Sequence, residues 1–175
     1  MANQNNPHGL RPLGISLSGG PSFIQTLIKA AANATAIFRQ DVVARQSGGF
    51  IGADSITPGT TLLTGVTLDA GAALTQTSHL VVTSPDALYE AQSDGAGIVA
   101  ANLGLNANLT YAAGATIGPK ISGTVISTAS AAVTSTLDVH LIQLYNDAVN
   151  NAFGLYSRIE VVINKQRYNG GTAGV

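Results

Sequence analysis

The sequence predicts an all-β chain: a small β-sandwich or barrel-like domain with an extended N-terminal arm and a flexible C-terminal tail. Three observations carry this. From residue 50 onward, short apolar or Thr/Val-rich runs are separated by turn signals, among them Thr57-Pro58-Gly59, Asp69-Ala70-Gly71, Ser84-Pro85-Asp86 and Asp94-Gly95. Their spacing of roughly 8 to 12 residues is that of a sandwich or small barrel. Two segments, Leu137 to Tyr145 and Arg158 to Ile163, alternate with the period of a strand.

Residues 1–22 are expected as the arm. Asn5-Asn6-Pro7-His8-Gly9 and Gly19-Gly20-Pro21 are strong breakers, and between them Leu13, Ile15 and Leu17 alternate with small residues. This short strand has two readings: it joins the protein's own sheet, or it adds to the sheet edge of a neighbouring subunit.

The β domain is expected over 23–168. Its first part is ambiguous. Ile24, Leu27, Ile28, Ala31 and Ala32 have helical spacing with Ser22 as a candidate N-cap, and this pattern alone leans towards helix. The run Phe23 to Ile28 is nevertheless rich in the residue types of strands. Between 96 and 108, Gly97, Asn102, Gly104, Asn106 and Asn108 break any helix beyond one turn. In Leu137 to Tyr145, the residues Leu137, Val139 and Leu141 are expected on the core face, with Asp138, His140 and Ile142 opposite. Loop signals around Asn146 to Gly154 join this strand to Arg158–Ile163 as a hairpin. The tail, 169–175, is expected to be flexible.

Charge narrows the function classes. Eight basic and nine acidic residues are scattered singly, giving a formal net charge of −1. No basic stripe exists, which argues against a nucleic-acid partner. Charged residues make up 10% of the chain, against about 25% in an ordinary domain. Either the surface is simply quiet, or much of it is covered by other subunits, where charge is costly to desolvate. Cysteine is absent, so there are no disulfides or thiolate metal sites. No charged n-region with an apolar stretch opens the chain, and no run of about 18 apolar residues occurs. Synthesis in the cytosol without membrane insertion is expected.

The chemistry-bearing residues are sparse. His8, His79 and His140 make no motif, and the neighbours Ser78-His79 are not a triad signal, since triads converge in space. Asp41, Asp54, Asp69, Asp86, Asp94, Asp138 and Asp147 are isolated and read as turn caps. The only glutamates, Glu90 and Glu160, fall in two predicted strands, where convergence as a glycosidase pair has no positive support. No phosphate loop or dinucleotide fingerprint is present. The expectation is a non-enzyme with no cofactor and no metal.

Several segments, in order, resemble a family of tailed-bacteriophage capsid decoration (cement, head-stabilising) proteins. These are Asn5-Asn6-Pro7-His8-Gly9-Leu10-Arg11-Pro12-Leu13; Ala31 to Phe38 followed by Asp41-Val42-Val43; Val81 to Gln92 with its Pro85-Asp86 turn; Leu103 to Ala107; and the ending Tyr168 to Val175. His8 stands where the family usually carries Phe, and 47–76 departs most. The resemblance turns the reading of residues 23–46 from helix to strands. It implies an all-β homo-oligomer, dimer favoured over trimer, made in the host cytoplasm and bound to the major capsid protein at capsomer junctions on the outer surface of the virion. The expected contacts are Asn5, Pro7, His8, Leu10, Arg11, Leu13, Ile15 and Leu17 in the arm, with Tyr168, Thr172 and Val175 in the tail. Deleting residues 1–17 is expected to leave a folded core unable to bind capsids. The alternative is a carbohydrate- or receptor-binding β-module of a phage tail or secreted protein. Against it, Tyr89, Tyr111, Tyr145, Tyr156 and Tyr168 are spread out and tryptophan is absent.

Overall fold

The computed structural model describes residues 3–54, 56–114, 120–146, 148, 150–168 and 174. The strands are β1 (Arg11–Ser16), β2 (Ile24–Lys29), β3 (Val42–Arg45), β4 (Ile51–Gly52), β5 (Leu63–Thr67), β6 (Thr77–Val82), β7 (Ala87–Gln92), β8 (Asn106–Thr110), β9 (Val125–Ala132), β10 (Val139–Leu144) and β11 (Arg158–Ile163). They form a six-stranded sheet ordered β1-β7-β11-β10-β8-β9 and a closed barrel ordered β2-β4-β3-β5-β6. The chain is all-β, as its turn spacing predicts.

Alternation decides which side chains meet. In β11, Ile159, Val161 and Ile163 face the core, as do Val139 and Leu141 of β10 and Ala87, Tyr89 and Ala91 of β7. Val42, Leu63, Val66 and Val82 from the barrel wall join this cluster, so barrel and sheet share one apolar core. A smaller cluster of Leu27, Ile37, Val43, Ile51 and Val81 fills the barrel.

For residues 24–29 the structure agrees with the strand that the resemblance implies and not with the helical spacing, and the expected placement of Asp138 is corrected. Residues 24–29 form a strand, paired antiparallel with β6 from Ile24↔Val82 to Lys29↔Thr77. Ser22 caps no helix; its hydroxyl donates to the carbonyl of Ile15 at 3.1 Å. Asp138 does not face solvent opposite the core. It is fully buried just before β10, where its carboxylate accepts the N–H groups of Gly59 and Leu109 (2.9 Å each) and the Tyr111 hydroxyl (3.1 Å). Residues 96–108 hold one 3-10 turn, Ala100–Asn102, before β8 begins.

The first 22 residues do not stand off as an extended arm. β1 is an edge strand of the protein's own sheet, paired with β7 through Arg11↔Glu90 and Pro12↔Tyr89, and Leu10 is fully buried in the main core. Upstream of it the chain crosses the other face of β7. Asn6 N–H donates to Gln92 Oε1 (3.0 Å), Gln92 Nε2 donates to the Gln4 carbonyl (2.7 Å), and Gln4 N–H donates to Asn150 Oδ1 (2.9 Å). This cover explains why every residue of β7 is buried on both faces. Gly9 (φ +72°) permits the passage from that face to the edge, because a Cβ there would lie 2.5 Å from the Ser122 side chain.

Candidate functional site

The arm residues expected to make contacts divide into two groups. One is fixed inward. Glu90 is fully buried on the outer face of β7, and its position opposite Arg11 and beside Arg158 follows from strand register. Its carboxylate accepts His8 Nε2–H at 2.8 Å and pairs with Arg11 Nε at 2.7 Å and Arg158 Nε at 3.3 Å. The Arg11 guanidinium also lies 5.4 Å from the centre of the Tyr145 ring. His8, Leu10 and Arg11 therefore fasten the segment to the protein's own sheet. Asn5 and Pro7 are exposed along that crossing, and Leu13 is half-buried.

The second group points outward. Ile15 and Leu17 are exposed where β1 turns towards β2, and Ile15 pairs with Pro21, two residues before Phe23. Phe23 is 72% exposed, although its backbone is held by the Ser84 hydroxyl and by Thr83. The β2–β6 register then sets Ile24, Ile28 and Leu80 on the outside of the barrel, all exposed. From Pro12 to Phe38 the one charged residue is Lys29, which is buried inside the barrel with its Nζ donating to the carbonyls of Asn33 and Thr75 (3.2 Å each). The result is a surface with apolar side chains standing out of it and charge only at its borders, where the Asp86 carboxylate accepts from the Ser18 hydroxyl at 2.7 Å and Arg45 lies beside Ile28.

In the tail, Tyr168 is exposed and its N–H donates to Gln166 Oε1 at 2.7 Å. Thr172 and Val175 lie outside the described residues, as does Asp147. Gly174 N–H donates to the Val133 carbonyl at 3.0 Å.

The structure brings together some groups that sequence reasoning kept apart. Asp69 Oδ1 accepts His79 Nδ1–H at 2.7 Å, and the Thr77 hydroxyl donates to His79 Nε2 at 2.7 Å. This is the order of a carboxylate–imidazole–hydroxyl relay. His79, however, is 1% exposed, and the backbone of Gly71 lies over the pair, where a Cβ would sit 2.6 Å from Nε2 and 2.8 Å from the Thr77 oxygen. Packed this way, the relay ties the β5–β6 connection to the barrel and leaves no space for an acyl group. The signal that finds it is Asp69 and Thr77 flanking a hairpin with His79, rather than the pair Ser78-His79. Similarly, Glu160 faces Glu90 across β11 and β7, with Gln143 Nε2 donating to it at 2.9 Å.

Most other aspartates cap backbone N–H groups. Asp41 accepts from Phe38 N–H at 2.7 Å, and burial pushes its carboxyl up to about 6 against the opposing pull of the Ser122 and Phe38 hydrogen bonds. Burial likewise raises Asp138, against the N–H groups of Leu109 and Gly59. Asp94 accepts from Ala96 and Thr128 N–H groups. Among the described residues no group of three or more His, Asp or Glu is arranged to hold a metal ion. Among them, no helix is long and apolar enough to cross a membrane.

By architecture this is a barrel-and-sheet protein with exposed apolar residues on the β1–β2 connection and on the outer face of β2 and β6, and others on separate loops. No protein-family model, curated protein or solved structure matches the chain.

Proposed function

We propose that the chain is a structural virion protein that binds the outer surface of the expanded phage capsid at capsomer junctions and stabilises the shell. The observation that carries this reading is the group of exposed apolar side chains Ile15, Leu17, Phe23, Ile24, Ile28 and Leu80, with charge only at its borders, from Asp86 beside Ser18 and Arg45 beside Ile28. Large apolar side chains with charge confined to the edge are what an interface core with a polar rim needs, since desolvating them is favourable. The ordered sequence resemblance supplies the occupant: the major capsid protein, with a second copy of this chain as neighbour. Neither buried polar cluster offers a substrate access to its reacting atoms, so the reading is a non-enzyme.

The physical logic is mass action. A subunit that binds only the expanded lattice stabilises that lattice in proportion to its occupancy, and many modest contacts repeated over a shell give avidity. In the test, the purified chain is sedimented with expanded and with unexpanded capsids. Co-sedimentation with the expanded form alone is expected; equal recovery with both, or with neither, contradicts the proposal.

A further inference from the structure

The outer edge of β2 is open, and its backbone shows which groups face outward. Thr83 N–H donates to the Phe23 carbonyl at 3.0 Å, so Phe23 and Thr83 form a bonded pair continuing the β2–β6 ladder. Bonded and non-bonded pairs alternate along an antiparallel ladder, so Gln25 and Leu27 also turn their backbone groups to β6. Ile24, Thr26 and Ile28 turn theirs the other way. Leu80, opposite Thr26, fits this phase: its carbonyl accepts Leu68 N–H at 2.8 Å, on the side away from β2. Beyond β2, β4 pairs with it at Lys29↔Ile51, and among the described residues no strand pairs with Ile24 to Ile28 on that side. Open edges are usually blunted by charge or proline. The edge strand β1 carries Arg11 and Pro12, whereas Ile24 to Ile28 carries neither device.

A groove of about 310 Å³ lies beside this edge, between Thr26, Leu27 and Ile28 on one side and Gly48, Gly49 and Phe50 on the other. Its one charged group, Arg45, donates to the Gly49 carbonyl. Just upstream, Phe23 stands exposed, in the same alternation as Gln25 and Leu27. The edge is complementary to itself. An antiparallel second copy, related by a two-fold axis at Gln25, sets Ile24 opposite Thr26 of the second copy and Thr26 opposite its Ile24. These are the residues with outward backbone groups, so each pair exchanges both of its N–H···O bonds. The same register sets Phe23 opposite Leu27, which brings each copy's phenyl ring to the groove of the other. Residues 23–28 are uncharged, so no like charges meet across the axis. We propose that two copies of this chain associate through their β2 edges, with Phe23 of each seated against Leu27 and Phe50 of the other. A single patch serves both copies, as a closed two-fold contact requires, and an aromatic anchor fills a pocket at its centre. The contact belongs to the second-copy neighbour in the capsid reading and forms without capsids, so the two can fail separately.

The test is sedimentation equilibrium of the purified full chain between about 1 and 100 µM. A monomer–dimer equilibrium with a Kd of about 10 µM or below is expected. Thr26→Pro removes an N–H that faces away from β6 and so spares the β2–β6 ladder. Phe23→Ala removes the ring at an exposed position. Each is expected to raise the Kd by about tenfold or more, with the circular dichroism spectrum of the wild type retained. Should Thr26→Pro fail to fold, Phe23→Ala alone decides. A wild-type chain that stays monomeric at about 100 µM, or that closes as a trimer, would overturn the inference. So would a dimer whose affinity the folded variants leave unchanged.

Discussion

Glu90 and Glu160 stand directly opposite each other on β7 and β11, yet their surroundings differ completely. Glu90 is fully buried among His8, Arg11 and Arg158, whereas Glu160 is half-buried and held by Gln143. Two carboxylates brought together by register thus serve structure: one anchors the N-terminal segment and the other closes the face beside it. Removing one member of a buried ion cluster leaves the others desolvated and unmatched. Glu90→Ala is therefore expected to cost about 3 to 5 kcal/mol in urea unfolding. Hydrogen exchange should accelerate first in residues 10–16, and unchanged protection there would contradict the anchoring role.

Deletion of residues 1–17 should not leave an intact core, contrary to what the sequence alone leads one to expect. It removes Leu10 from the main core and strips β1 from the edge of β7. Leu10→Ala alone is expected to cost about 2 to 5 kcal/mol through transfer and cavity terms, measured by thermal or urea unfolding. A loss below 1 kcal/mol, on the order of a surface substitution, would mean that the N-terminal segment is only loosely seated.

Asp41 gives a pH signature with a definite sign. Its folded-state pKa of about 6 lies above the usual 3.8, so the folded state holds the proton more tightly than the unfolded chain. Its contribution is fully present below about pH 4 and is lost as pH rises through about 6. The span between the two values corresponds to about 3 kcal/mol at most. In Asp41→Asn the Phe38 N–H keeps an acceptor and no carboxyl titrates. The stability difference between variant and wild type should therefore shift in favour of the variant as pH rises from 4 to 7. A pH-independent difference would contradict the raised pKa.

The exposed apolar surface separates binding from folding. Phe23→Ser and Leu80→Ser change side chains that contribute little to the core, so each is expected to alter unfolding free energy by no more than about 0.5 kcal/mol. The pair should still abolish co-sedimentation with expanded capsids. Normal capsid binding by the folded double variant would move the interface elsewhere.

The strands that follow ordinary alternation were legible. Arg158 to Ile163 has apolar residues at every core position, and its hairpin with β10 follows from loop signals between the two. β2 was not legible from pattern because its two faces invert the usual rule. Lys29 points into the barrel, while Ile24 and Ile28 point out. A strand that buries a lysine and exposes isoleucines loses its period of two, and the residue spacing then imitates a helix. Asp138 misled for a related reason: two backbone N–H groups and a tyrosine hydroxyl reward its burial, and these partners come from residues as distant as Gly59.

The central claim, that this chain decorates a shell, is tested most directly by its copy number relative to the major capsid protein in purified virions, using quantitative mass spectrometry. A near-integer ratio, repeated across preparations, is the result expected of a lattice subunit. A handful of copies per particle, or absence from virions, would contradict it.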